Sequence, residues 1–491
     1  MDPGAQTPQA AGVGDLPAVD RPGEGVCPRP ETSPGSTLEL GRAAILTIRH
    51  FWPDLNSWLD ELPDTRFAPL VVYDRKFMAW WGVALFMLKL GSRRQLDFDL
   101  RDLSTQVLAN LNRLAGTSQE TLPVDGTLDH FLGHLGSEPL AGLRTQLIRR
   151  LIRMKALDDA RLQGHFVVAV DGSGWMRFRT RHCDRCLTQN HGDTIVYLHL
   201  ILEAKLVGPE GTALSIGTEF VENAKGSDAA ALPDTQEAKQ DCELMALERL
   251  APVLKTQFPQ LPLCLSSDSL YACGRALRVA RNNGWRFVFT FKEGRLPKVW
   301  EEFERLRDLS PENTLGITLP NGTLQVYRWV NAMSYEDSDH QLHMFNALEC
   351  LETAQGLTTR FAWLTDFPLS PTTVAAVATK GGRARSRIEN EGFNVQKNSL
   401  FDLEHPYSMD LEKQKAYYLL LQIAHIILQM LEKGSLLRRL ARKTGKSTVD
   451  LFGSLKNIAR RLLEAFRYAR LPDEAYDSVV AASVQIRLDS C

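Results

Sequence analysis

Hydrophobic and polar positions change their period twice along the chain. Within 38–160 the apolar residues recur every three or four positions, as in Leu100, Leu103, Val107, Leu111 and Leu114, the spacing of one helix face. Residues 77–90 are apolar nearly all round, which predicts a buried helix. Residues 140–157 set an apolar face against Arg144, Arg149, Arg150, Arg153 and Lys155, a charged face that solvates a helix or meets phosphates. From Gly164 onward apolar runs at 165–170, 194–206, 213–220, 261–267 and 285–291 predict strands, with helices at 239–254 and 270–282. Three strands, a helix, a strand, a helix and a strand predict an α/β mixed sheet with helices on its faces. Residues 314–318, 323–330, 341–348 and 360–365 add strands, the first two joined by Pro320-Asn321-Gly322, a hairpin signal. Helix resumes near 372, and 411–431 and 434–468 read as a helical tail.

The expected organisation follows: a disordered tail over 1–37, poor in aromatic and branched residues; a helical N-terminal domain, 38–160, with a candidate DNA-binding role; a sheet domain in two parts, 161–293 and 372–410, around a β-rich insertion, 294–371; and a basic helical C-terminal region, 411–491. A length of 491 residues suits about three domains. The net charge of −2 gives no global attraction to nucleic acid, so any basic surface is local. The densest basic stretch is C-terminal and includes Arg438, Arg439, Arg442 and Lys443.

The apolar runs at 78–90 and 417–431 do not predict a membrane partner. The first falls short of the roughly 20 residues a span needs, and the second contains Gln422, His425 and Gln429. The eight cysteines are scattered, and the N-terminus lacks a charged start followed by an apolar core. A reducing, cytoplasmic setting is expected. Cys183 and Cys186 form a Cys-x-x-Cys pair, with His191 and His199 nearby, and such a set can ligate zinc. A second Cys-x-x-Cys is missing, so an ordinary thiol loop is expected and zinc is not.

Three segments place an acid where a nuclease metal site wants one. Val167-Val168-Ala169-Val170-Asp171-Gly172 and Leu263-Cys264-Leu265-Ser266-Ser267-Asp268 read as buried strands ending on aspartate, and Arg385-Ser386-Arg387-Ile388-Glu389 reads as a helix carrying glutamate beside basic residues. Each acid has an ordinary alternative. Asp171 suits a turn, Asp268 a helix cap, and Glu389 an ion pair with Arg385 one helical turn earlier. The ordered set favours the site: ligands gather at strand carboxyl ends, and carboxylates there can hold two Mg²⁺ for in-line displacement at a phosphodiester.

This set resembles the Asp-Asp-Glu catalytic triad of insertion-sequence transposases. The family's third segment runs Tyr, two residues, Arg, three residues, Glu, six residues, Lys. Arg385 and Glu389 fit, while Gly382 stands at the tyrosine position and Lys397 comes one residue late. The resemblance covers roughly residues 75–435. It implies a ribonuclease-H-like mixed sheet with a β-rich insertion before the glutamate, flanked by helical regions. It implies catalysis and metal binding by Asp171, Asp268 and Glu389, with Mg²⁺, or Mn²⁺ in its place. Contacts to DNA are expected from Arg385, Arg387, Lys397, Arg438, Arg439, Arg442 and Lys443. In relatives an aromatic of the insertion can hold a flipped base; Trp329 is the candidate here, against the alternative that it is a core residue. The implied partners are the element's inverted repeats and target DNA, bound by a homodimer. The implied location is a bacterial cytoplasm, at the nucleoid. The implied reaction is cleavage that frees a 3′ hydroxyl, then joining of that hydroxyl to target DNA. Two rivals stay open: a metal-dependent nuclease without strand transfer, and a degenerate copy that binds DNA without cutting it.

Overall fold

The computed structural model describes residues 35–101, 104–191, 194–208, 211–224 and 241–488; most of the 1–37 tail lies outside them. Among the described residues no helix is long and apolar enough to cross a membrane.

The strands are β1 (Arg161–Leu162), β2 (His165–Phe178), β3 (Leu187–His191), β4 (Thr194–Val207), β5 (Ala213–Val221), β6 (Leu263–Ser267), β7 (Arg286–Thr290), β8 (Thr314–Thr318), β9 (Leu324–Glu336), β10 (Leu342–Ala354) and β11 (Leu357–Thr365). They form one mixed sheet in the order β3-β4-β2-β6-β7-β11-β10-β9-β8, with β5 also on β4 and β1 on β2. β4 pairs antiparallel with both β5 and β2. From β2 the sheet continues parallel through β6 to β7, and the crossover between β6 and β7 carries the helix Gly274–Asn283. A parallel neighbour cannot be reached by a hairpin, so such a crossover is required.

Two expectations are corrected and one is made specific. First, β2 does not end at Asp171. It runs on to Phe178, with β4 continuing beside it as far as Phe178↔Tyr197. The polar run Asp171-Gly172-Ser173-Gly174 hid the strand's second half because it lacks branched residues. Second, the β-rich insertion expected within the sheet domain is continuous with the central sheet. β11 pairs antiparallel with β7 through Trp363↔Thr290, Leu364↔Phe289 and Thr365↔Val288, so its strands extend the central sheet. Third, Arg144 is no surface cation. It is buried and donates to Ser215 at 3.1 Å and to Thr218.

The helices of the two chain ends pack together. Thr37–Phe51 lies on Leu455–Tyr468, and Leu411–Lys433 packs against Arg75–Met87 and Glu138–Arg153. Asn110 fastens the two ends by donating to the carbonyls of Phe466 and Ala469 at 3.1 and 2.8 Å. The polar side chains of Leu411–Lys433 have definite partners. Gln429 holds both backbone groups of Ala213 at 2.7 and 3.1 Å. Gln422 accepts from Lys205 at 2.8 Å, and Gln396 donates to Gln422 and meets His425 Nδ1 at 3.0 and 2.9 Å. Lys205 is fully buried and paired with Glu203 at 3.2 Å. A buried network of this kind favours one packing over its neighbours, although His425 Nε2 is left without a hydrogen-bond partner. It ties the segment around Gln396, and hence the helix bearing Glu389, to β4 and to the helical layer.

Candidate active site

Asp171 and Asp268 sit on adjacent strands. The parallel register of β2 and β6 runs Phe166↔Leu263, Val167↔Cys264, Val168↔Leu265 and Ala169↔Ser266. Two residues further it brings Asp171 alongside Asp268, and alternation along both strands sends the two side chains to one face. The pairing ends at Ala169↔Ser266, so the two strands part where the acids stand. Asp268 follows β6 directly, and its Oδ1 accepts from the Leu270 amide at 2.8 Å. It is therefore also the cap that the sequence allowed.

Glu389 lies in the first turn of Ile388–Ser399, a π-helix. The preceding turn supplies Arg385, whose Nη1 is 2.8 Å from Glu389 Oε1 and 3.5 Å from Asp171 Oδ2. One guanidinium thus bridges the helix acid to a strand acid. The π winding also accounts for the late lysine. A π-turn closes on residue i+5 instead of i+4, so such a helix takes up an extra residue without breaking. It runs on through Gly392.

A fourth carboxylate belongs to this cluster. Glu243 opens the helix Glu243–Gln257. Its carboxylate lies over Gly172, where a Cβ would collide with it, and it accepts from the Tyr271 hydroxyl at 3.1 Å. Sequence reasoning missed it because a glutamate at a helix N-terminus has an ordinary explanation in the helix dipole. The usable signal was Gly172 beside Asp171, a residue without a side chain at a place where another group comes close.

Electrostatics register the crowding. Burial pushes the Asp171 carboxyl up to about 7; Arg385 opposes this, and Glu243, Glu389 and Asp268 add to it. Burial also raises Glu243, against the Tyr271 hydrogen bond and with help from Asp268. Burial and Glu243 lift the Tyr271 hydroxyl as well, so this phenol stays a donor.

Beside the acids a cleft of about 500 Å³ is lined by Lys292, Phe361, Trp363, Gly382, Arg383 and Arg385, among others. Gly382 is small for a visible reason: a Cβ there would run into the Trp363 indole. The indole occupies the space that a tyrosine side chain would need.

The other expected DNA contacts scatter. Arg387 is 3.9 Å from Glu391 and lines a different pocket with Lys380 and Gly208. Lys397 pairs with Glu404 at 2.9 Å, so it is engaged away from the acids. Arg438 donates to the Lys433 carbonyl at 3.0 Å and Arg439 to the Gln485 carbonyl at 2.6 Å, whereas Arg442 and Lys443 are exposed. Trp329 requires a correction. It is 2% exposed on β9, so its rings are closed to a base and it is a core residue.

No protein-family model matches this chain, and no curated protein matches it. The case for function therefore stands on the site.

Proposed function

We propose that the chain is a DNA transposase of the Asp-Asp-Glu kind, with a ribonuclease-H-like catalytic sheet. One observation carries the reading: Asp171 and Asp268 stand where the adjacent parallel strands β2 and β6 part, close enough for Asp268 to raise the Asp171 carboxyl, and Arg385 joins Asp171 to Glu389. The strand sequence β5-β4-β2-β6-β7, antiparallel and then parallel, supports the ribonuclease-H-like reading.

The donor set suits Mg²⁺ or Mn²⁺. It offers hard carboxylate oxygens, part-buried at Asp171 and open at Glu389, and Arg385 already occupies the space between two of them as a positive charge. Asp171, Asp268 and Glu389 would hold the ions. Bound divalent cations supply the Lewis acidity that activates an attacking oxygen and stabilises a leaving one at a phosphodiester. Arg385 reaches both the acids and the cleft, so it can trade its carboxylate partners for a phosphate; a guanidinium fork suits either. Lys292 and Arg383 extend positive charge along the cleft wall. Water would attack first and the freed 3′ hydroxyl of the DNA second, at the same carboxylates. The reading carries with it a homodimer on paired element ends and a place at the bacterial nucleoid.

The test uses full-length protein and the coding region with its flanking DNA on a plasmid, in Mg²⁺ or Mn²⁺. Cleavage at the flanks that leaves 3′ hydroxyls, followed by joining to a second plasmid, is expected. Asp171→Asn, Asp268→Asn and Glu389→Gln should each abolish both steps and spare DNA binding, because each keeps the side chain's size and removes its charge. Near-normal cleavage by one variant removes that residue from the site. Cleavage without joining makes the protein a nuclease, and binding without cleavage by the wild type makes it a degenerate copy.

A further inference from the structure

A second cluster of ligating side chains lies outside the acid site. Between β2 and β3 the chain turns through His182-Cys183-Asp184-Arg185-Cys186, and His199 stands on β4, opposite Met176 of β2. The two sulfur atoms are 3.5 Å apart, and His199 Nε2 is 3.4 Å from Cys183 Sγ and 3.5 Å from Cys186 Sγ. Tetrahedral zinc, with bonds of about 2.3 Å to sulfur and about 2.0–2.1 Å to nitrogen, would set ligand atoms about 3.8 Å (sulfur–sulfur) and about 3.6 Å (sulfur–nitrogen) apart. The three observed separations fall just inside those values.

The surroundings point the same way. His199 is 1% exposed and Cys186 fully buried. The imidazole's Nδ1 has no partner, and its Nε2 faces two sulfur atoms, which are weak hydrogen-bonding groups. A buried ring so placed is poorly satisfied by protein alone. The Cys183 amide donates to Cys186 Sγ at 3.4 Å, which holds the two sulfur-bearing residues in one tight turn. The turn is also clamped from outside. Asn223 donates to the Cys186 carbonyl at 2.8 Å and its amide to the Arg185 carbonyl at 3.1 Å, while Arg185 pairs with Glu222 and Glu412.

We infer that Cys183, Cys186 and His199 hold a zinc ion that fastens the β2–β3 turn to β4. The spacing of the sequence argues against zinc because it shows one Cys-x-x-Cys and no second pair. The histidine that completes the set is delivered by strand pairing, which spacing does not reveal. The fourth position falls to water or to His182, whose ring centroid is 6.4 Å from that of His199. Five strand residues separate Asp171 from Met176, roughly 17 Å at the usual rise. The zinc is therefore structural and separate from the chemistry at the acids. It orders a turn whose flanks expose Arg179 and Arg181.

The full chain, purified under reducing conditions without chelator, should carry about one zinc per chain by elemental analysis. Cobalt exchanged into the site should show sulfur-to-metal charge-transfer absorption. Cys183→Ser and His199→Ala should each lower zinc content at least tenfold. Cys183 is half-buried, so its variant tests the site even where substitution of the buried histidine disturbs folding. Zinc should also slow alkylation of Cys183 and Cys186 while leaving exposed Cys242 unchanged. The inference is overturned by wild-type protein that takes up no stoichiometric zinc on reconstitution, or by undiminished zinc in Cys183→Ser. Six titratable thiols instead of eight in unfolded, unreduced protein would also overturn it, since the pair would then be a disulfide.

Discussion

Burial holds the Asp171 carboxyl up at about 7, with Glu243, Glu389 and Asp268 adding to the effect against Arg385, so on the proposed reading proton and metal would compete for it there. A ligating carboxylate must be deprotonated. Affinity of the acid site for Mg²⁺ or Mn²⁺ should therefore rise with pH by up to about tenfold per unit below 7 and level off above it. Titrations at pH 5.5, 6.5 and 8 check this; a flat profile would show that Asp171 is no ligand. Stability has the opposite sign. Because the folded value exceeds the ordinary value of 3.8, the folded chain binds more protons, and stability falls as pH climbs from about 4 to about 7. Asp171→Asn should then melt higher than wild type at pH 8 without divalent ions, with the gap closing toward pH 4. Glu243 adds a separate prediction. Glu243→Gln should reduce cleavage by about 10- to 100-fold, the scale for groups that support metal ligands, with DNA affinity retained. Gly172→Ala should have a similar effect, since its methyl group displaces the Glu243 carboxylate. If both variants cut at the wild-type rate, Glu243 is a bystander. At this scale the sequence singled out Asp171, Asp268 and Glu389, which the fold brings near one another. It was silent on Glu243, whose role rests on contacts with residues distant along the chain.

Helices and strands decide which of the basic residues can reach DNA. In the helix Ser435–Lys443, Arg438 and exposed Arg439 each place Nη2 on backbone carbonyls, Arg438 on Lys433 and Arg487 and Arg439 on Gln485. Arg442 and Lys443 are exposed. Replacing Arg442 and Lys443 with Gln should weaken DNA binding and flatten the slope of log affinity against log salt by about 0.9 per lost phosphate contact. Replacing Arg438 and Arg439 should leave that slope alone and loosen the C-terminal segment instead, seen as faster amide exchange around 485–487. The reverse outcome would put DNA on the other face of the helix. The central strands were readable from apolar runs, as were the helices Arg75–Met87 and Leu411–Lys433. The second half of β2 and all of β3 were not, because Gly-Ser-Gly and Leu-Thr-Gln-Asn-His carry little apolar signal and owe their extension to pairing with β4. The π winding of Ile388–Ser399 was visible only indirectly, as a lysine one residue late.

For the whole molecule, pairings across long sequence separations set what could be anticipated. The sheet's continuity through β7 and β11 depends on residues about 75 positions apart, and periodicity carries no information on such partners. The packing of Thr37–Phe51 on Leu455–Tyr468 is more remote still, and it has a consequence in time. A ribosome adding about 5–20 residues per second leaves the first of these helices waiting roughly 20 to 80 s for the second. Through that interval Arg75–Met87, buried on nearly every side in the finished protein, lacks its cover from Leu411–Lys433. The nascent chain is therefore a customer for chaperones until almost its last helix has emerged, and a message cut short anywhere before that point yields an aggregating product.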